Sequence, residues 1–264
     1  MNTPHRFSDI PPSRLATFDV YTAGLKKHHV AALLEFDVTD GRKKLRELRK
    51  SGVAVSTNAW LIRAIAVALA RHPEAAAFVY SRKKLILFDD INISMLVEKE
   101  VGGARVPMPL LIVRANEKSA PEITREIEEA VNRSLTEKDI VLHRRPRLHE
   151  RIYYRLPGFL RRMVWQYLLS HPKTAYAKMG NAVVTSLGMI GQINGWFIHK
   201  SVHPVSFGIG SVLKKPLAVN DEIRIREVLH MTVLIDHDVI DGAPMVRLLN
   251  DLRAYLESGA ELDA

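Results

Sequence analysis

His237 follows the apolar run Val233-Leu234-Ile235 and stands four residues ahead of Asp241-Gly242. An imidazole that titrates near neutrality, held at the end of a strand, can take the proton of an attacking nucleophile, and a nearby carboxylate can orient it. The same residues have plainer uses. His237 can hydrogen-bond locally at a strand end, and Asp241-Gly242-Ala243-Pro244 is a good helix start, with Asp241 as N-cap and Pro244 in the first turn. Spacing alone leaves the two readings level.

The elements around this loop follow from period and punctuation. Ala182 to Ser186 reads as a strand, as do Val205–Val212, Ile223–Arg226 and Val228–Ile235. Pro244 to Glu257 closes the chain as a helix with Met245, Leu248, Leu249, Leu252 and Leu256 on one face. Further back, His29–Thr39 is a strand, and Thr39 is placed to cap a basic helix over Gly41–Ser51 that Gly52 ends. The strongest helix is Thr57–Arg71, with Trp60, Leu61, Ala64, Ile65, Ala68 and Leu69 at helical spacing and His72-Pro73 as its stop. Ala77–Tyr80, Leu85–Phe88, Ile91–Val97 and Val106–Val113 supply short strands, the last marked by Pro107 and Pro109 as an edge or an irregular start. Ser119-Ala120-Pro121-Glu122 is a capping box opening a helix to Arg133. Residues 1–13 read as a loose arm. Strands outnumber dispersed helices, so the expected fold is α/β: a largely mixed sheet covered by helices, one domain over residues 1–264.

Apolar content of 47% with 25% charged residues is that of a folded chain rather than a disordered one. The chain has no cysteine, which excludes thiol nucleophiles, disulfides and cysteine-ligated metal. No metal site is expected. Neither a signal peptide nor a membrane-spanning run is visible, and the expected location is cytoplasmic. The formal charge is +9, but His143 to Gly180 holds nine Lys/Arg against Glu150 alone. The basicity therefore belongs to one segment. No nucleic-acid motif accompanies it, and nucleic acid is not an expected partner.

Several motifs in order along the chain carry a resemblance. Asp236-His237 with Ile240-Asp241-Gly242 resembles the HxxxDG signature of the dihydrolipoyl acyltransferases of 2-oxo acid dehydrogenase complexes, shared with chloramphenicol acetyltransferase. Val184-Thr185-Ser186-Leu187-Gly188-Met189-Ile190-Gly191 is similar to the family's strand-and-turn segment. His203-Pro204-Val205 through Gly210, the helix ending His72-Pro73-Glu74, and Ile91-Asn92-Ile93 match further family stretches. The resemblance covers residues 14–140 and 180–258.

It implies a chloramphenicol acetyltransferase-like mixed-sheet sandwich and a coenzyme A-dependent acyltransferase. His237 would be the general base, drawing a proton from a thiol as it attacks an acyl thioester. Thr185 aligns with the family's hydroxyl donor to the tetrahedral oxyanion, with Ser186 beside it. Their ordinary readings are a β-branched strand residue and a turn residue. Ser186, Gly188 and Gly191 would line the coenzyme A channel, the glycines otherwise forming a tight turn. Asp241 would be an organiser paired with a basic residue, for which Arg14, Lys26 and Lys27 compete; His28 and His29 read as strand-start residues. The family trimerises and builds each site between two subunits, so a homotrimer or an assembly of trimers is implied.

Three departures stand out. Neither a lipoyl domain nor a subunit-binding domain is recognised, so no covalent lipoyl group is expected in this chain and a separate lipoylated protein would be the partner. Asp238 stands where the lipoyl-linked relatives usually carry Arg, and an acid beside the base raises its pKa. Residues 141–179 form a basic insertion, in which Pro157–Ser170 reads as an amphipathic helix with Leu160, Met163, Val164, Tyr167 and Leu168 opposite Arg161 and Arg162. The insertion admits three uses: a solvated hairpin, a patch for an acidic partner or anionic membrane, and a lid over the acceptor site. The alternative to an enzyme is a non-catalytic trimeric scaffold that binds partners or membrane with the same fold.

Overall fold

The computed structural model describes residues 3–10, 12–101, 104–132, 152–153, 155–186 and 193–262. Six strands form one mixed sheet in the order β1 (His29–Asp37), β8 (Glu222–Asp236), β7 (Val205–Val219), β6 (Ala182–Ser186), β4 (Ile93–Val101) and β5 (Ala104–Ile112). The short β6 runs parallel to both neighbours, and every other pairing in the sheet is antiparallel. Pro107 and Pro109 lie on β5 at the sheet margin, where a missing backbone donor is tolerated. A separate hairpin joins β2 (Phe78–Ser81) and β3 (Lys84–Ile86).

One face of the sheet meets a helical layer. Its centre is α3 (Thr57–Arg71), started by the Ser56 hydroxyl, which accepts from the Ala59 amide at 3.1 Å. This helix is buried almost all round, not along one stripe, because it lies between the sheet and other helices: α2 (Thr39–Lys50), α4 (Ala120–Asn132) and α7 (Gly242–Ser258). Trp60, Ile65 and Leu69 pack there with Phe207, Met231 and Val233 from the sheet and Leu248 and Leu252 from α7. The capping box of α4 is formed, Ser119 donating to and accepting from Glu122. Thr39 does not cap α2. It is already helical, and its hydroxyl donates to Asp37 at 2.6 Å while accepting from the Glu227 amide at 2.7 Å, which ties β1 to β8 instead.

The opposite face is covered by the segment 193–204. The Trp196 ring stacks on His230 at 4.3 Å between centroids, and its indole N–H donates to the Leu34 carbonyl. β8 is therefore buried on both faces from Val228 to Asp236. β7 and β8 are longer than their hydrophobic runs suggest. A turn at Asn220 and Asp221, both at positive φ, continues the pairing beyond the core as a two-stranded arm. Three elements escaped the sequence pattern: α1 (Pro12–Gly24), whose Phe18 and Tyr21 are exposed, a short helix α6 (Pro172–Met179), and the length of that arm.

In the described part of the insertion, α5 (Gly158–Ser170) stands where expected, but its packed side is only partly the expected one: Leu160 and Leu168 are half-buried and Arg162 is exposed. Phe159, Met163, Val164 and Tyr167 are exposed, and Arg161 points inward. The Arg161 guanidinium donates to buried Asp19 of α1 at 2.7 Å. Asp19 also accepts from the Tyr153 hydroxyl, which in turn accepts from the Trp165 indole. A buried carboxylate demands such donors, and this one takes them from the insertion.

Candidate active site

Apolar burial carries β8 to Asp236, and the chain then turns away. His237 and Asp238 emerge into solvent, Val239 and Ile240 drop back into the core, and Asp241 takes the N-cap position of α7. The Asp241 side chain makes no cap bond; it is 90% exposed, and its Oδ1 lies 4.0 Å from His237 Nδ1. The imidazole is half exposed, with Nδ1 turned toward the carboxylate and Nε2 left for chemistry.

The loop is fixed from β1. Because β1 and β8 pair antiparallel with His29 opposite Asp236, the residues just ahead of β1 face the turn that carries His237. The Lys27 ammonium donates to Asp236 at 2.7 Å, and Asp236 is fully buried. The His28 carbonyl accepts from the His237 amide at 3.0 Å. The His28 ring contacts both carboxylate oxygens of Asp238, at 2.9 and 3.0 Å. The hydrogen bond from Asp238 raises the His28 pKa above its ordinary value.

The basic partner expected for Asp241 is corrected by this arrangement. Lys27 is taken by Asp236, since a buried carboxylate outcompetes an exposed one for the available cation. Among the described residues no ion pair joins Arg14 or Lys26 to Asp241. His28, read as a strand-start residue, holds Asp238. No pattern in the sequence marks these pairs, because 209 residues separate Lys27 from Asp236; the clue is two cations before one strand and two acids after another.

Thr185 and Ser186 end β6, a strand whose start is set by a buried amide pair. Asn181 Oδ1 accepts from the Asn92 backbone, and Asn92 Oδ1 accepts from Arg114. Gly180 is obligatory there: φ is +75°, and a Cβ would fall 2.2 Å from the Asn92 carbonyl. Val184 points into the core, so Thr185 points to the other face, opposite Gly208 of β7. A Cβ on Gly208 would meet His199 Nδ1 at 2.9 Å, so the glycine makes room for an imidazole beside Thr185. His199 bonds Ser206 through Nε2, and burial pushes its pKa down to about 4, leaving it neutral. Ser186 pairs with Ile209, and Gly188 and Gly191 lie outside the described residues.

The two halves are far apart in one chain. Thr185 is level with Gly208, Gly208 is level with Thr232, and His237 lies five residues beyond Thr232. At ~3.3 Å per residue and ~4.8 Å per strand, their backbones are about 19 Å apart.

Asp238 also enters a cleft of about 320 Å³ under the β2–β3 hairpin, lined by Arg82, Lys83 and Lys84. A larger recess of about 600 Å³ lies between the β7–β8 arm and α7 and holds none of the candidate groups.

The chain is similar to known proteins over nearly its whole length. It is 24% identical over 228 residues to the dihydrolipoyllysine-residue acetyltransferase component of the pyruvate dehydrogenase complex of Corynebacterium glutamicum, which covers 84% of this chain and 28% of that protein. The chain thus spans under a third of that relative's length. Three solved structures share its fold. A probable dihydrolipoamide acetyltransferase from Listeria monocytogenes 4b F2365 superposes with a TM-score of 0.68 at 20% identity, over 98% of this chain and 97% of that one. The Azotobacter vinelandii dihydrolipoamide acetyltransferase superposes with a TM-score of 0.67 at 16% identity, over 98% and 95%. In that enzyme the catalytic mechanism was investigated at a Ser, a His and an Asn, the Asn four positions after the His. A chloramphenicol acetyltransferase superposes with a TM-score of 0.52 at 11% identity, over 94% and 96%. The family model described as 2-oxoacid dehydrogenases acyltransferase (catalytic domain) matches residues 21–139 and 173–263, passing over most of the basic insertion. With that match spanning well over half of its residues, the chain belongs to the 2-oxoacid dehydrogenase acyltransferase catalytic-domain family.

Proposed function

We propose that this protein is a coenzyme A-dependent acyltransferase whose sites form between subunits of a trimer. His237 Nε2 takes the proton of an acceptor thiol as its sulfur attacks the acyl carbonyl carbon. Asp241 keeps the imidazole oriented through Nδ1. The oxyanion that develops accepts a hydrogen bond from the Thr185 hydroxyl of the neighbouring subunit. Collapse breaks the carbon–sulfur bond of the donor thioester, and the imidazolium returns its proton to the departing thiolate.

The observation that carries this reading is the separation of about 19 Å between the two halves along one sheet. No single chain presents both to one carbonyl, whereas a neighbour can. The relatives' names, with a dihydrolipoyllysine residue as the acyl-bearing group, make a separate lipoylated protein the proposed partner. The Ser, His and Asn of the Azotobacter enzyme parallel Thr185, His237 and Asp241 in type and spacing.

The test is thiol release from acetyl-, propionyl- and longer acyl-coenzyme A, with and without dihydrolipoamide. Thr185→Val should lose about 10²–10³ in rate and stay folded. His237→Ala as fast as the wild type with every donor would leave only a binding scaffold.

A further inference from the structure

Asp238 is the residue at which this chain departs from the resembling enzymes, and it sits one peptide bond from the proposed base. A carboxylate beside an imidazole favours the imidazolium, the wrong bias for a base. The structure supplies the compensation: the His28 ring lies against both Asp238 oxygens, and the His28 carbonyl holds the His237 amide. One residue therefore grips the base's backbone and covers the neighbouring charge.

We infer that His28 is a positioning residue for His237, and that the His28–Asp238 pair both orients the catalytic loop and shields the base from the adjacent carboxylate. The inference rests on His237 being the base. The charged groups facing His28 are Asp238, Asp236 and Lys27, and Asp236 is already neutralised by Lys27. Asp238 faces in addition the cleft lined by Arg82, Lys83 and Lys84. Asp241 Oδ1 lies 4.0 Å from His237 Nδ1.

The direction in pH follows from charge. The hydrogen bond and charge of Asp238 hold the His28 pKa above 6.5, so the ionic clamp is complete below that value and is lost as pH rises through the folded-state pKa. His237, as a base, must lose its proton to work. Turnover then needs a neutral His237 together with an intact His28–Asp238 pair.

The experiment uses the full chain and two readouts. The first is the pH profile of kcat/KM with acetyl-coenzyme A and dihydrolipoamide. The second is the rate at which diethyl pyrocarbonate modifies His237, followed by peptide mass spectrometry; it tracks the neutral imidazole without any turnover. His28→Gln should move the acid limb, and the modification profile, upward by a few tenths of a pH unit, the shift expected for one nearby charge removed in a solvent-like dielectric. It should also remove the alkaline fall. Asp238→Asn should move both profiles down. In Asp238→Asn the His28 ring loses the carboxylate that raises its pKa, so adding His28→Gln should shift both profiles by less than it does in the wild type. The inference is overturned if His28→Gln leaves the modification profile of His237 in place, or if the two substitutions act additively. Failure of the base reading looks different: His237→Ala would retain full turnover while the modification profiles still report on the clamp.

Discussion

If each site takes its base from one chain and its oxyanion donor from the next, two dead variants should rescue one another. His237→Ala removes the base, and Thr185→Val removes the donor at a loss of about 10²–10³ in rate. The structure sets what to expect from mixing them. The roughly 19 Å between these positions comes from about 17 Å along β8 and about 10 Å across two strand steps, whereas both groups must come within ~3 Å of one tetrahedral centre. In a cyclic trimer holding both variants, in either ratio, one interface joins an intact His237 to an intact Thr185. The double-tagged mixed trimer should therefore recover about one third of wild-type turnover, because a cyclic assembly repeats the same head-to-tail interface around its axis. Co-expression with two affinity tags, purification over both, and thiol release from acetyl-coenzyme A make the measurement. A mixed assembly no more active than its parents, beside a fully active wild type, would refute the shared site.

Other consequences are checked more simply. Lys27→Met strands the fully buried Asp236 charge and should destabilise the chain by about 3–5 kcal/mol, with most of it regained in Lys27→Met/Asp236→Asn; urea denaturation reads both. His203 is buried and its pKa is pushed down to about 4, so the unfolded chain takes the proton first as pH falls below 6.5. Stability from this residue is complete above pH 6.5 and drains toward pH 4, a loss of about 2 kcal/mol at pH 5, and His203→Gln should flatten that slope in denaturation midpoints. Arg161→Met leaves buried Asp19 without its cation and should loosen α5 from α1, seen as faster proteolysis between 155 and 178 together with a lowered urea midpoint.

The parts legible in the sequence are those written in local pattern. The core helix over Thr57–Arg71, the strand Ala182–Ser186, the capping box at Ser119 and the prolines of the edge strand are all short-range signals. The β7–β8 arm was not legible, because beyond Val212 its residues are held by pairing rather than burial. Helix α1 was hidden because its most hydrophobic residues, Phe18 and Tyr21, face outward. At the site, the motif drew attention to His237 and Asp241, but the contacts that hold Asp236, His237 and Asp238 come from Lys27 and His28. The inward turn of Arg161 had no local mark either, since a buried guanidinium is explained only by the carboxylate it meets.

The grip of residues 27 and 28 on the turn that carries His237 also sets when the site can exist. Its two sides are 209 positions apart, and β1 reaches its partner in the sheet, the only one among the described residues, when β8 has been made. At 5–20 residues per second, synthesis leaves roughly 10–40 s during which the leading strand has been made and its partner has not. The segment that holds the His237 turn is thus among the first made and the last to be used. Activity becomes a property of the finished chain, and β1 spends the interval as an unpaired strand whose exposed Val30 and Leu33 must be kept from other nascent copies.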